Sequence, residues 1–266
     1  MYRFTTLLPL AFATVAAAAP PPAPPQFVAM AVADGLPSST IYKVAQDREG
    51  FIWLGTADGL ARYDGVSFHV FRADPAKPES ISSNNVTALL IDSKGRIWCG
   101  GDRSGLNRLD LETERFEHWR HVPNDVKTLG DDDVWALAED RDGALWVGTY
   151  LGGLNRLQAD GSFAHVDHDP ENPDSLRSSS VISLRAGDDG RLWIGTVEGL
   201  DVRERDGRIV HVDIPPLGPR KGPSHVWAFV PDGDSGGMVV GTRKGVFRIG
   251  ADLAYKGEMG ESTPPL

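Results

Sequence analysis

Residues 50–65 read GFIWLGTADGLARYDG, a tryptophan and a threonine set in a glycine-rich frame. Two physical readings compete for such a stretch. A glycine-rich loop that opens a helix can cradle a phosphate with its backbone amides. The same glycines can instead serve the tight turns of a repeated β-sheet. The frame returns as RIWCGGDRSGLNRLD at 96–110, ALWVGTYLGGLNRLQ at 144–158 and RLWIGTVEGLDVRER at 191–205. Trp53, Trp98, Trp146 and Trp193 are spaced 45, 48 and 47 residues apart, and Val239 takes the tryptophan's place 46 residues further on. Glycines recur two residues after and three residues before each of these positions, as Gly55 and Gly50 do around Trp53. A period of 40–50 residues built from short strands marks a propeller.

Each copy reads as four strands. The first is an unbroken apolar run, such as VTALLID at 86–92 or VWALAED at 134–140. Unbroken apolarity suits a strand covered on both faces. An acid-to-glycine turn follows, the second strand holds the tryptophan, and the fourth is FHVFR at 68–72 in the first copy. The glycines are therefore turn residues and the four indoles are core. A phosphate loop needs a following helix, and here a strand follows. The predicted fold is all-β: a β-propeller of about five four-stranded blades, an incomplete part of a seven-bladed ring. The blades fall at about 34–72, 80–121, 128–168, 175–213 and 220–250 within a repeat region of 27–255, and 256–266 reads as a tail. FVAMAV at 27–32 reads as a lone strand ahead of the first blade. An array open at both ends leaves it without a partner, and the isolated chain is expected to aggregate.

Residues 1–19 read as a signal peptide, with Arg3, an apolar run at 7–15 and small residues at 16–19. Cleavage after Ala18 or Ala19 would leave a proline-rich linker at 20–26 and a periplasmic or secreted protein. The net charge of −10 argues against nucleic acid or an anionic membrane as partner. The lone cysteine, Cys99, excludes an internal disulfide and reads as an inert buried thiol.

QDREGFIWLGTADGLARYDG, residues 46–65, resembles the first repeat of the two-component regulator propellers. DSKGRIWCGG and DRDGALWVGT match that repeat's general form, and the likeness runs over about 27–250. The resemblance implies a periplasmic sensor propeller, dimeric in the intact receptor, whose output is a histidine kinase or a diguanylate cyclase beyond these residues. It implies binding rather than turnover, and no cofactor.

Binding sites in propellers gather at one end of the axis, where the loops joining blades meet those joining second to third strands. The readable candidates on the latter are Asp58, Asp102, Arg103, Tyr150, Glu198, Arg243 and Lys244. Mixed charges and one aromatic suit a small polar ligand or an oligosaccharide. His118 with His121, and His165 with His168, are three apart on strands or their ends; such residues point to opposite faces, so no shared metal is expected. Asp131, Asp132 and Asp133 read as a solvated acidic loop. A glycan-active enzyme, a sialidase-like hydrolase or a lyase, is the catalytic alternative; the DxxGxxW spacing differs from that of an Asp-box. A protein-interaction scaffold is the third reading.

Overall fold

Turn-forming acids and glycines cut the chain into runs of four to six β-branched, aromatic and aliphatic residues, and those runs are the strands. The computed structural model describes residues 29–215 and 225–259. The expected signal peptide and linker lie outside the described residues. The first blade holds β1 (Ile41–Gln46), β2 (Ile52–Thr56), β3 (Gly59–Tyr63) and β4 (Phe68–Phe71). The second holds β5 (Val86–Ile91), β6 (Ile97–Gly101), β7 (Leu106–Asp110) and β8 (Arg115–Trp119). The third holds β9 (Val134–Glu139), β10 (Leu145–Thr149), β11 (Leu154–Leu157) and β12 (Phe163–Val166). The fourth holds β13 (Val181–Ala186), β14 (Leu192–Thr196), β15 (Leu200–Arg203) and β16 (Ile209–Val212). The fifth holds β17 (Val226–Pro231), β18 (Met238–Thr242), β19 (Gly245–Ile249) and β20 (Tyr255–Glu258). Each sheet is an antiparallel meander in chain order. The protein is an all-β propeller array of five blades.

Two boundaries differ from the sequence reading. The fifth blade gains its outer strand only at Tyr255–Glu258, past the expected blade end at 250 and running into the stretch read as a tail, because Leu253 (φ 62°) turns the chain back after Gly250. Ahead of the first blade, residues 29–31 form no strand and Val32–Asp34 is a single 3-10 turn closed by Gly35. The described part of 27–32 is therefore not the lone strand its composition suggested.

The inner strands β1, β5, β9, β13 and β17 pack side by side in that order. Among the described residues, β1 and β17 share no comparable packing. The core is consequently a series of layers between neighbouring blades. Trp53 packs with Phe71 of its own blade and with Ile81, Val86, Ile97 and Phe116 of the next. Trp98 does the same with Val134, Leu145, Val147 and Phe163, and Trp193 with Val226, Met238 and Val240. Trp53, Trp98, Trp146 and Trp193 are 0, 1, 3 and 1% exposed, so the repeat indoles are core. Burying about 150–250 Å² of such a ring is worth roughly 4–6 kcal/mol by area. No blade could retain that on its own.

Candidate functional site

The threonine beside the repeat glycine serves the turn. Thr56 Oγ1 donates to the Gly59 carbonyl at 2.8 Å, and Thr149, Thr196 and Thr242 donate to Gly153, Gly199 and Gly245 at 3.1, 3.0 and 3.0 Å. In the second blade Gly101 replaces the threonine and Ser104 Oγ takes over, accepting from the Gly101 amide at 2.6 Å.

These turns are then stitched to the segments that enter the blades. Ala57, Tyr150, Val197 and Arg243 donate their amides to Thr40, Asp133, Ser180 and His225, each just before the inner strand of the same blade. Gly59, Gly105 and Gly153 donate to Asn84, Asp132 and Ser179, which lead into the following blade. Both kinds of loop therefore meet at one end of the array and form a rim.

The rim gathers some sequence candidates and not others. Tyr150 lies on Trp135, ring centroids 5.6 Å apart and planes at 28°. Tyr150 is 40% exposed as a residue, and Ser180 Oγ holds its carbonyl. Arg103 turns through the left-handed region (φ 49°), its amide donating to Asp133 Oδ1 at 2.5 Å. Its guanidinium, with a side chain 85% exposed, stands 3.7 Å from Asp102. Asp102, Arg103, Asp133, Trp135 and Tyr150 thus form one continuous surface. Asp58 is occupied structurally, accepting from Arg72 at 3.0 Å and from Asn84 at 3.3 Å. Glu198 and Lys244 sit in turns where their amides meet Thr196 and Thr242 at 3.1 and 3.0 Å. Arg243 follows in the same turn as Lys244, near His225, which meets Trp227 edge-on at 5.3 Å.

The acidic run is not simply a solvated loop. Asp132 accepts from the His121 amide at 2.8 Å, and Asp131 from the Asp133 amide at 2.8 Å. Burial pushes the Asp133 carboxyl above its usual range, against the Arg103 amide that lowers it, and neighbouring Asp131 and Asp102 add to the rise. The rim therefore offers an anionic acceptor, a solvated cation and an aromatic face side by side.

The histidines fasten connections. Asn107 and Asn155 on the third strands, both fully buried, accept the amides of Ser82 and Gly130 at 3.1 and 2.9 Å. His118 and His165, opposite them on the fourth strands, reach the Pro78 and Val126 carbonyls at 3.1 and 3.0 Å. In the fourth blade Asp201 and His211 do this for Arg177 and Pro173. His121 and His168 hold the Leu129 and Leu176 carbonyls. Among the described residues, no group of three or more histidine, cysteine or acidic side chains could hold a metal ion.

Two clefts of about 500 Å³ lie off the rim, one along the 72–81 connection and one around Arg191 and Arg205. The first is floored by the core rings Phe71 and Phe116 and walled by balanced charges, including Lys77 and Glu114. The rim has the stronger claim, since there, among the described residues, a part-exposed aromatic pair adjoins the exposed Arg103 and the acids Asp102 and Asp133.

Sequence reading missed Trp135 and Trp227, and read Asp133 as part of a solvated loop rather than of the rim. A usable signal existed. Trp135 follows the polar connection that ends at Asp133, and a bulge between Val134 and Ala136 leaves it without a partner in the ladder and half-buried.

The family model described as two component regulator propeller matches residues 35–58, 80–103, 128–151 and 175–198. Histidine kinase P4 of Formosa agariphila is 43% identical over 49 residues, 18% of this chain and 4% of the kinase. A solved extracellular domain of B. thetaiotaomicron, from a chain assigned to a hybrid two component system, is 28% identical with a TM-score of 0.73. That match covers 85% of this chain, which spans only 31% of the longer one. Virginiamycin B lyase from Staphylococcus aureus, 17% identical over 82% of this chain and 69% of its own with a TM-score of 0.63, shares the fold alone.

Proposed function

We propose that this chain, four of whose blades match the two component regulator propeller repeat, is the extracellular sensing propeller of a two-component receptor. Its rim binds a small polar ligand of the oligosaccharide class without turnover. The Tyr150–Trp135 stack beside Asp102, Arg103 and Asp133 carries this reading. Aromatic faces take the apolar face of a sugar ring, and the flanking charges hydrogen-bond its hydroxyls. The likeness to the extracellular domain of a hybrid two component system supports an exported, periplasmic location. The output, a histidine kinase or a diguanylate cyclase, would belong to the intact receptor, which would act as a homodimer.

Isothermal titration against neutral and acidic oligosaccharides, with chromatography of the sugar afterwards, tests the reading. Saturable binding, weakened at least about tenfold in Tyr150→Ala and leaving the sugar intact, is expected. Binding indifferent to Tyr150→Ala, or none, would remove the rim from the account. Cleaved sugar would favour the enzyme reading, and a bare rim the scaffold.

A further inference from the structure

In three of the joints between blades, an aliphatic residue on the third strand packs in the layer of the preceding blade's tryptophan. Leu109 does so with Trp53, Leu157 with Trp98 and Ile249 with Trp193. In the joint between the third and fourth blades the same register position is Arg203. It pairs with Leu192 as Leu109 pairs with Ile97 and Ile249 with Met238. Its guanidinium carbon stands 4.8 Å from the centre of the Trp146 ring.

Arg156 enters the same layer from the other side. It pairs directly with Trp146, so the two side chains share one face of the third blade. Its guanidinium carbon is 5.8 Å from the same ring centre. Arg108 holds this register in the second blade, where both oxygens of Glu117, its neighbour across the ladder, accept from it at 2.7 Å. Arg156 has Ala164 across the ladder instead. Arg62 holds the register in the first blade, and in its joint Leu109 takes the place of Arg203.

Two guanidinium groups thus converge on one indole. Among the described residues neither forms an ion pair, and Nε of Arg203 is buried without a hydrogen-bond partner. Burial and then the charge of Arg156 hold the Arg203 guanidinium below its usual value, with Asp140 and Asp206 acting against them. Those acids are engaged elsewhere. Asp140 accepts the Trp146 N–H and the amides of Asp142 and Ala144, and Asp206 accepts the Arg208 amide. Stacking on an indole accounts for one cation; a second at the same ring adds repulsion.

We propose that Arg156 and Arg203 bind a doubly charged oxyanion, phosphate or sulfate, free or as an ester on a larger ligand. Such a dianion matches the two cations in charge, and its oxygens accept from both guanidinium forks. Both arginines are part-exposed, so an anion can reach their heads from solvent. The Asp140 turn and the Tyr150 turn lie at opposite ends of β10, so this site is separate from the rim and independent of any ligand there.

Calorimetric titration of the full chain with inorganic phosphate, inorganic sulfate and glucose 6-phosphate, in chloride of matched ionic strength, tests the proposal. Arg203→Leu installs the residue type of the other joints, and Arg156→Gln removes the second cation. Arg115→Gln, at an exposed residue of the second blade, is the control. Saturable binding by the wild type and the control, weakened at least about tenfold in each of the first two variants, is expected. In chloride alone Arg203→Leu should melt no lower than the wild type, because it removes an unpaired charge from the layer. Should that variant fail to fold, Arg156→Gln carries the same test. Binding of the inorganic anions assigns the site to the free oxyanion, and binding of the sugar phosphate alone assigns it to an ester. No binding of any of the three, or binding that Arg156→Gln leaves unchanged, would overturn the proposal.

Discussion

The carboxylate of Asp92 accepts the indole N–H of Trp98 at 2.8 Å. Asp47 and Asp140 hold Trp53 and Trp146 in the same way, each at 2.7 Å. The other oxygen of each carboxylate accepts two amides of the turn, as Asp92 does from Lys94 and Arg96, both at 2.9 Å. One side chain therefore closes the first turn of the blade and orients the core ring. This is why an acid stands six residues before each of these tryptophans.

Asp92→Ala leaves the Trp98 N–H and two turn amides without their acceptor. It should cost about 2–3 kcal/mol in urea unfolding. Burial pushes the Asp92 carboxyl up, but the Trp98 N–H, the Arg96 amide and the Arg96 guanidinium together hold it below its usual value. A lowered folded value means stability that is complete above the ordinary carboxylate range and is lost as pH falls through the folded value. The gap between wild type and Asp92→Ala should therefore narrow in acid. A gap independent of pH would show that the carboxylate's charge is immaterial.

In the fourth blade Gly187 stands where the others have aspartate, and the Trp193 N–H has no hydrogen-bond partner among the described residues. A cavity of about 100 Å³ borders Gly187 and Trp193. An added Cβ would lie 3.5 Å from Trp193 Nε1, and its tight contact, 2.6 Å, is with the movable carboxylate of Asp189. Gly187→Asp should raise stability by about 1 kcal/mol, from the new hydrogen bond and the lost glycine entropy. Unchanged or lowered stability on calorimetry would mean that Asp189 already fills the role.

Asp133 titrates the other way. Its folded value is raised, so its stability contribution is present at low pH and lost as pH rises through that value. Asp133→Asn keeps an oxygen for the Arg103 amide and removes the charge. Melting at pH 7 should move upward, with the gain vanishing below the ordinary carboxylate range, near pH 3.9. A loss of stability at pH 7 would show that the ionised form is what holds the turn.

Cys99 is fully buried in the layer with Trp53, and burial pushes its thiol up to about 12. Alkylation at pH 8 should then follow unfolding rather than direct reaction. Fast labelling without denaturant, faster than unfolding seen by fluorescence, would contradict the packing around it.

The blades were legible because two signals agree at Trp53, Trp98, Trp146 and Trp193: a fixed period and glycines that turn the chain at fixed offsets. Gly50, Gly95, Gly143 and Gly190 do take positive φ, from 79 to 93°. What escaped were pairings between residues distant in sequence. Asp92 was visible as a turn former, yet its bond to Trp98 depends on how the sheet folds back. Asn107 and His118 were visible as polar residues on adjacent strands, but the Ser82 amide and the Pro78 carbonyl they secure belong to a connection. At the rim, Tyr150 and Arg103 were readable as loop residues. Trp135 was absorbed into an apolar run, because the bulge between Val134 and Ala136 that sets it apart from the ladder has no mark in composition. The fifth blade's outer strand was missed because its connection breaks the pattern at Leu253.

The radial stacking of the blades is tested most directly by a double-mutant cycle at Gly148 and Val181. The added methyl of Gly148→Ala would sit 2.6 Å from Val181 Cγ1. Alone it should cost about 1–3 kcal/mol as overpacking. Val181→Ala alone should cost about 2 kcal/mol as a cavity. Because one change makes the room the other needs, the double variant should be more stable than the sum predicts by at least about 1 kcal/mol. Costs that simply add, within about 0.5 kcal/mol, would mean that the two residues do not touch and that the blades are not packed as described.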